Sequence, residues 1–166
     1  MKQVKNKQLI ILAGYLLFST FFIACSSGNQ INSVFSQDEI ARAINDNRWD
    51  FSADYAMPSY GRSRNITGSY YVKCRKDTLI VALPYYGKVE GSIGINSGNP
   101  LDFQSTDFKL TKEDKKGGGW LVTIKPSNSE VQSMTFTFFD NGSAQANCIM
   151  TNRSGINFSG KVAPAR

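Results

Sequence analysis

Residues 49–58 read WDFSADYAMP, and this stretch decides the fold class. Apolar or aromatic side chains occupy every second position from Trp49 to Met57, and acidic or hydroxyl residues stand between the first four of them. A period of two is typical of a β-strand with one buried face. Pro58 cannot donate a hydrogen bond to a sheet, so it predicts the end of the strand.

The same alternation recurs downstream in short segments that turn residues separate. The run from Thr78 to Leu83 is apolar on both faces, and Asp140-Asn141-Gly142 suits a tight hairpin. About eight short strands without a second helical pattern predict an antiparallel meander. The residues of the predicted inward phase are Ile66, Tyr70, Val72, Cys74, Phe108, Leu110, Trp120, Val122, Ile124, Met134, Phe136, Phe138, Ala144, Ala146, Cys148, Met150, Ile156, Phe158 and Val162.

A meander of this length can bury its apolar face in two ways, as a barrel or as a two-layer sandwich. We expect an all-β, lipocalin-like up-and-down barrel because short hairpins join consecutive strands, with the sandwich as the alternative. The interior of such a barrel is either filled by bulky side chains or encloses a cavity for an apolar ligand, and the alternation suits both.

One short α-helix is predicted before the first strand, over Gln37 to Asp46. Ser36 can cap its first turn, and Glu39 completes a capping box. Phe35 can pack against Ile40 across that turn, so the start of the helix is well defined.

The first residues have the layout of a secretory signal. Three lysines, at positions 2, 5 and 7, precede an uncharged apolar run from Leu9 to Ala24. Phe21-Phe22-Ile23-Ala24-Cys25 resembles a lipobox, in which the cysteine is lipidated. We therefore expect a lipoprotein signal peptide at 1–24, a lipidated flexible tether at 25–34 and a single β domain at 35–166, with Cys25 anchored in a membrane.

The tether has no acidic residue before Asp38. Lipoproteins displayed on the outer surface of some Gram-negative bacteria tend to carry acidic residues just after the cysteine. We therefore expect an outer-membrane anchor with the domain facing the periplasm.

Composition argues against several functions. The formal charge of +6 falls to +3 without the three signal lysines, and the remaining basic residues are scattered, so no nucleic-acid partner is expected. The sequence has no histidine, which removes Ser-His-Asp and Cys-His nucleophile systems and imidazole metal sites. The acidic residues fall in turns or on outward strand positions. The sequence thus predicts no enzyme, no metal and no cofactor.

Cys74 and Cys148 are the thiols that remain after lipidation of Cys25. Both lie on the inward phase of their strands. An oxidising compartment would allow them to form a disulfide, and two buried free thiols are the alternative.

Two loops contain candidate ligand- or partner-binding residues. The first is Pro58–Asn65, where Tyr60 accompanies Arg62 and Arg64; guanidinium groups beside an aromatic ring can hold an anionic or carbohydrate ligand. The second is Leu83-Pro84-Tyr85-Tyr86-Gly87, whose adjacent tyrosines point to opposite sides if the chain stays extended. As the alternative, the first loop is simply a polar connection between strands, and the tyrosines of the second simply pack at the end of a strand.

The chain resembles an uncharacterised lipoprotein family known as domain of unknown function 4251. The resemblance covers nearly all of the predicted mature chain and rests on the lipobox, the short helix and a series of loop motifs. It implies a secreted all-β domain in the envelope of gut-type Gram-negative bacteria, and it supplies no activity or catalytic residues. The loop motifs are Pro58 with Gly61-Arg62-Ser63-Arg64, Leu83-Pro84-Tyr85-Tyr86-Gly87, Asp140-Asn141-Gly142, and Asn152-Arg153-Ser154-Gly155-Ile156 with Gly160.

Two functions follow as hypotheses for a lipid-anchored, non-enzymatic envelope protein. In the first, the barrel binds a small apolar or amphipathic ligand. In the alternative, the protein docks on another envelope component through the loops around Tyr60 to Arg64 and Tyr85 to Gly87.

Overall fold

The computed structural model describes residues 35–90, 98–128 and 130–165. The predicted signal peptide (1–24) and tether (25–34), including Cys25, lie outside the described residues. Within the described part of the chain, no helix is long and apolar enough to cross a membrane. The described residues belong to one compact unit.

A single sheet follows a short helix, α1 (Gln37–Asn45). The strands of this sheet are β1 (Arg48–Pro58), β2 (Arg64–Asn65), β3 (Tyr71–Arg75), β4 (Thr78–Ala82), β5 (Asp102–Ser105), β6 (Phe108–Asp114), β7 (Trp120–Pro126), β8 (Val131–Phe138), β9 (Ser143–Met150) and β10 (Ile156–Pro164).

Helix α1 begins as its capping signal predicts. The Oγ of Ser36 accepts a hydrogen bond from the Glu39 amide at 3.3 Å, and the Glu39 carboxylate accepts one from the Ser36 amide at 2.8 Å. These bonds satisfy two amides that a helix start leaves unpaired. The buried face of the helix, which carries Ile40, Ala43 and Ile44, packs against β1 and β10.

The strands are antiparallel to their neighbours in the order β5-β4-β3-β1-β10-β9-β8-β7-β6, with β2 beside β1. Eight antiparallel pairings separate β5 from β6 in this order, so these two strands run in the same direction. Only Thr106 and Asp107 lie between them in sequence. The two therefore form one bent strand that pairs with β4 through its first half and with β7 through its second.

This bent strand brings the two ends of the sheet together. The result is a nearly closed antiparallel barrel with eight strand positions around it, which confirms the predicted barrel rather than the sandwich. The strand pairing of β1 with β10 joins the beginning of the domain to its end.

Aromatic side chains occupy the barrel interior. Trp49, Phe51, Phe136 and Phe138 are all fully buried. The ring centroid of Trp49 lies 4.9 Å from that of Phe138 and 5.1 Å from that of Phe136, which in turn lies 5.6 Å from that of Phe51. Aromatic pairs attract at these separations. Of the two interiors that the alternation allows, the structure favours the filled one.

Strand β1 departs from the predicted alternation at a β-bulge. Its pairing with β10 shifts between Ala53 and Tyr55, which leaves Asp54 as an extra residue. Beyond the bulge Ala56 is buried, whereas Tyr55 and Met57 are only half-buried. The prediction that these last two continue the inward phase is wrong, because one inserted residue exchanges the two faces of a strand.

Cys74 and Cys148 are free, buried thiols, so the disulfide alternative is not what the structure contains. They lie in β3 and β9, with β1 and β10 between them. Neighbouring strands lie about 4.8 Å apart, so three such steps along the sheet exceed the reach of a disulfide. Burial raises the pKa of Cys74 to about 11 and that of Cys148 to about 12, which keeps both protonated at neutral pH.

Candidate functional site

The loops that carry the predicted site residues meet at one end of the barrel. Strands β1, β4, β7 and β9 run in the same direction, so the segments that follow them lie at the same end. Hydrogen bonds join these segments: the Ser59 amide donates to the Gly155 carbonyl at 3.0 Å, and the Ser154 amide donates to the Lys88 carbonyl at 2.9 Å. Loops that are distant in sequence thus become neighbours.

Cations and aromatic rings pair across these loops. The guanidinium of Arg64 lies 4.5 Å from the ring centroid of Tyr86, and the ammonium of Lys88 lies 5.1 Å from that of Tyr60. Both distances fall within the range of a cation–π attraction. The two candidate loops of the sequence analysis therefore contact one another through Arg64 and Tyr86, and Lys88, directly after the second loop, adds a contact with Tyr60.

A third pair lies beside them, with the guanidinium of Arg153 at 5.4 Å from the ring centroid of Tyr85. We call the whole set the basic-aromatic end. Its residues are Tyr60, Arg62, Arg64, Tyr85, Tyr86, Lys88 and Arg153.

The exposed part of the basic-aromatic end is centred on Tyr60. This side chain is 64% exposed, an unusual exposure for a large ring. Arg62 and Arg64 beside it are exposed, whereas Tyr86 is half-buried. Arg62 makes no ring contact among the described residues, so its guanidinium is available to a partner.

Tyr85 has a structural role that the sequence does not reveal. Its hydroxyl donates to the carbonyl of Ser154 at 2.7 Å, and the Ser154 Oγ accepts from the Lys88 amide at 2.8 Å. Burial raises the pKa of Tyr85, which keeps the hydroxyl protonated as this donor. A Cβ at Gly87 would overlap the Tyr85 hydroxyl, so the glycine leaves room for it. The predicted opposite orientation of the two tyrosines is consistent with their different partners.

Arg153 is a site residue that sequence reasoning missed. Only 9% of this side chain is exposed. Its Nη2 lies 3.7 Å from a carboxylate oxygen of Glu130 and donates a hydrogen bond to the Gly98 carbonyl at 3.5 Å. Its Nε has no hydrogen-bond partner among the described residues. This buried guanidinium, between the Glu130 carboxylate, the Gly98 carbonyl and the Tyr85 ring, links the segments that follow β4, β7 and β9.

The described residues contain no group of three or more His, Cys, Asp or Glu side chains that could hold a metal ion. Asp50, an acidic residue of the first strand, forms an ion pair with Arg75 at 2.6 Å. That pair lies towards the opposite end of the barrel, where β1 begins and β3 ends. The basic-aromatic end itself offers cations, aromatic rings and hydrogen-bonding groups.

A family model described as "Domain of unknown function (DUF4251)" matches residues 33–162. The chain belongs to this family. The DUF4251 match confirms the family resemblance inferred from the loop motifs, several of which form the basic-aromatic end. The lipobox lies outside the matched residues, so lipidation stays a prediction.

A solved DUF4251 protein from Bacteroides eggerthii has a similar fold. Its crystal structure superposes with a TM-score of 0.57 at 14% sequence identity, and the alignment covers 81% of this chain and 91% of that one. At this identity the similarity shows the shared fold alone. Among curated proteins, none matches this DUF4251 chain.

Proposed function

We propose that this protein is a lipid-anchored, non-enzymatic binding module of the cell envelope that docks on an acidic envelope protein through its basic-aromatic end. The observation that carries the proposal is the convergence of Arg64 with Tyr86 and of Lys88 with Tyr60 at one end of the barrel. Arginine and tyrosine are enriched where proteins bind one another, because each offers a large surface together with directed hydrogen bonds.

The charge of this end indicates the partner's chemistry. Four cations, Arg62, Arg64, Lys88 and Arg153, lie at this end, and three carboxylates, Glu90, Glu130 and Asp102 at the start of β5, offset them only in part. A partner with exposed carboxylates would complement this charge and would be steered towards it.

The filled interior supports docking over the first hypothesis, an apolar ligand inside the barrel. The fully buried rings of Trp49, Phe51, Phe136 and Phe138 lie in mutual contact where such a ligand would sit. An exposed Tyr60, by contrast, is accessible without any rearrangement.

The anchor is the other half of the proposal, and the lipobox-like segment ending at Cys25 supports it. Lipid chains on Cys25 would hold the protein at the periplasmic face of the outer membrane. The polar tether that follows would let the domain reach a partner some distance from that surface.

Replacement of the lipidated cysteine tests the anchor. In Gram-negative cells fed an alkyne-tagged palmitate, the full chain is expected to take up label, and Cys25→Ser is expected to lose it and to leave the membrane fraction for the soluble periplasmic one. Cys74→Ala is the matched control and should keep both label and location, since Cys74 is a buried thiol. Label that persists in Cys25→Ser would refute lipidation at this residue.

Charge reversal tests the docking surface. With a photo-crosslinking phenylalanine analogue at position 60, the full chain is expected to give a discrete adduct with one acidic envelope protein in living cells. Arg62→Glu combined with Arg64→Glu should reduce that adduct by about tenfold or more, because carboxylates would then face carboxylates.

The matched control for this reversal is Lys116→Glu combined with Lys161→Glu. Both lysines are exposed and lie towards the opposite end of the barrel, so this variant carries the same charge change and should keep the adduct. An adduct that survives the arginine reversal, or that the lysine reversal abolishes equally, would contradict docking through the basic-aromatic end.

A further inference from the structure

A groove crosses the outer face of the barrel and begins at Met57, next to the basic-aromatic end. It has a volume of about 380 Å³ and runs over four neighbouring strands, β1, β10, β9 and β8. Its lining consists of uncharged outward side chains, those of Met57, Thr135, Thr137, Gln145, Asn147 and Asn157; Ala146 and Phe158 also border it, although their side chains are buried in the interior.

The polar groups of the groove form a row perpendicular to the strands. Met57 lies directly opposite Asn157, Asn157 opposite Asn147, and Asn147 opposite Thr135. The row continues on β7 with Thr123, whose hydroxyl lies 3.4 Å from that of Thr135. Each strand from β10 to β7 therefore contributes one amide or hydroxyl, at the strand spacing of about 4.8 Å.

Hydrogen bonding within the row fixes two of these side chains and leaves capacity for a ligand. The Nδ2 of Asn147 donates to the Oδ1 of Asn157 at 2.6 Å. Two side-chain amides offer four donors and two acceptors with several lone pairs, so one mutual bond leaves most of their capacity unused. The amides are thus oriented before any ligand arrives, which lowers the entropy cost of binding.

The outward side chains along the groove are uncharged, in contrast to those of β6. The lining of the groove contains no ionisable side chain. Exposed positions on β6, by comparison, carry Lys109, Lys112 and Glu113. Strand surfaces need polar side chains only for solubility, and charged ones serve that purpose well. An uncharged row of amides and hydroxyls suits a neutral, hydrogen-bonding ligand.

We propose that this groove binds a neutral, extended oligosaccharide that lies across the strands. The spacing between strands is close to the length of a hexose along an extended glycan. Each amide or hydroxyl of the row would therefore contact a different sugar unit. Hydroxyl groups of the sugar both donate and accept, which matches the mixed amides and hydroxyls of the row. Met57 at one end offers an apolar surface to the C–H face of a sugar ring.

This inference goes beyond docking on an acidic partner, since it concerns a different face and a different ligand class. The groove needs no cation, and the basic-aromatic end needs no groove. Failure of either proposal would leave the other standing.

Titration with defined sugars tests the proposal. The full chain, purified in a detergent without a sugar headgroup, is mixed with four neutral β-1,4-linked hexasaccharides of glucose, mannose, xylose and N-acetylglucosamine, and binding is followed by calorimetry. At least one is expected to bind with a Kd of about 1 mM or tighter. The hexamer of galacturonic acid is expected to bind at least about tenfold more weakly, because carboxylates lose hydration in a groove that offers them no cation.

Substitution of the row locates the site. Asn147→Ala and Thr135→Val should each weaken binding of the best hexasaccharide by about tenfold or more, since each removes groups that contact the sugar. Gln104→Ala is the matched control, an exposed amide on β5 outside the groove, and should leave the Kd unchanged. Circular dichroism of each variant establishes that the barrel is intact.

Three results would overturn the proposal. In the first, none of the four neutral hexasaccharides binds at about 10 mM. In the second, Asn147→Ala and Thr135→Val bind the best hexasaccharide as strongly as the unaltered chain does. In the third, the galacturonate hexamer binds as tightly as the neutral sugars.

Discussion

Phe136→Ala is expected to lower the free energy of unfolding by about 3–5 kcal/mol, the range for removing a buried phenylalanine ring from a packed core. Phe136 is fully buried, and its ring lies 5.1 Å from that of Trp49, 5.6 Å from that of Phe51 and 5.7 Å from that of Phe138. Removal of a ring at the centre of this cluster creates a cavity that three rigid rings cannot fill. Urea titration followed by tryptophan fluorescence measures the change.

The same experiment bears on the two functional hypotheses. Gln104→Ala, at an exposed position of β5, is the control and should change the unfolding free energy by no more than about 0.5 kcal/mol. If Phe136→Ala costs less than about 1 kcal/mol, the ring has few neighbours in solution. The barrel would then contain empty space, and an apolar ligand in the interior would again be the better hypothesis.

Gly160→Ala is expected to cost about 2–3 kcal/mol, although it adds a single methyl group. A Cβ at Gly160 would overlap the carbonyl oxygen of Ser52 and lie 2.9 Å from its carbonyl carbon and 3.0 Å from the Cα of Ala53. These atoms are backbone of the neighbouring strand, so no side-chain rotation can relieve the contact. The pairing of β1 with β10 would have to separate at the bulge.

Gly98→Ala is the matched control for this change. A Cβ at Gly98 meets no atom of the described residues within 4 Å, so the same methyl group should alter the unfolding free energy by no more than about 0.5 kcal/mol. Urea titration compares the two variants directly. Equal stability of both would mean that β1 and β10 do not approach each other as closely as their register requires.

The local features of the fold could be predicted from the sequence. The capping residues of α1 act within one helical turn, so Ser36 and Glu39 suffice to define its start. The inward phases of β8 and β9 are also predicted correctly, because uninterrupted alternation fixes which face of a strand is buried.

Features that depend on neighbouring strands could not be predicted in this way. The bulge at Asp54 is a feature of the register between β1 and β10. The alternation of residues in β1 gives no sign of it. Strand β5 has only four residues, Asp102–Ser105, which is too short for a period of two to stand out.

The candidate site could be predicted in its parts but not in its assembly. The residue types in the two loops are enough to identify Tyr60, Arg64 and Tyr86 as candidate binding residues. Their contacts, however, depend on the directions of the strands that carry the loops. Arg153 stands in a turn, where arginine is ordinarily exposed, so no local pattern signals its burial. Strand directions, however, would have placed Arg153 near the candidate loops, because the loops after β1, β4 and β9 of an up-and-down meander lie at one end.

The pairing of β1 with β10 has a consequence for how the domain is made. Strand β1 pairs with β10, the last strand, so the barrel cannot close until the residues opposite Trp49, up to Pro164, are in place. Sheets that depend on such distant pairings fold slowly, because most of the loop entropy is lost before the closing contacts form. A chain made from its amino terminus therefore completes its fold only once the last strand is available. If the chain is exported as proposed, this late closure would keep it unfolded until the last strand has crossed the membrane.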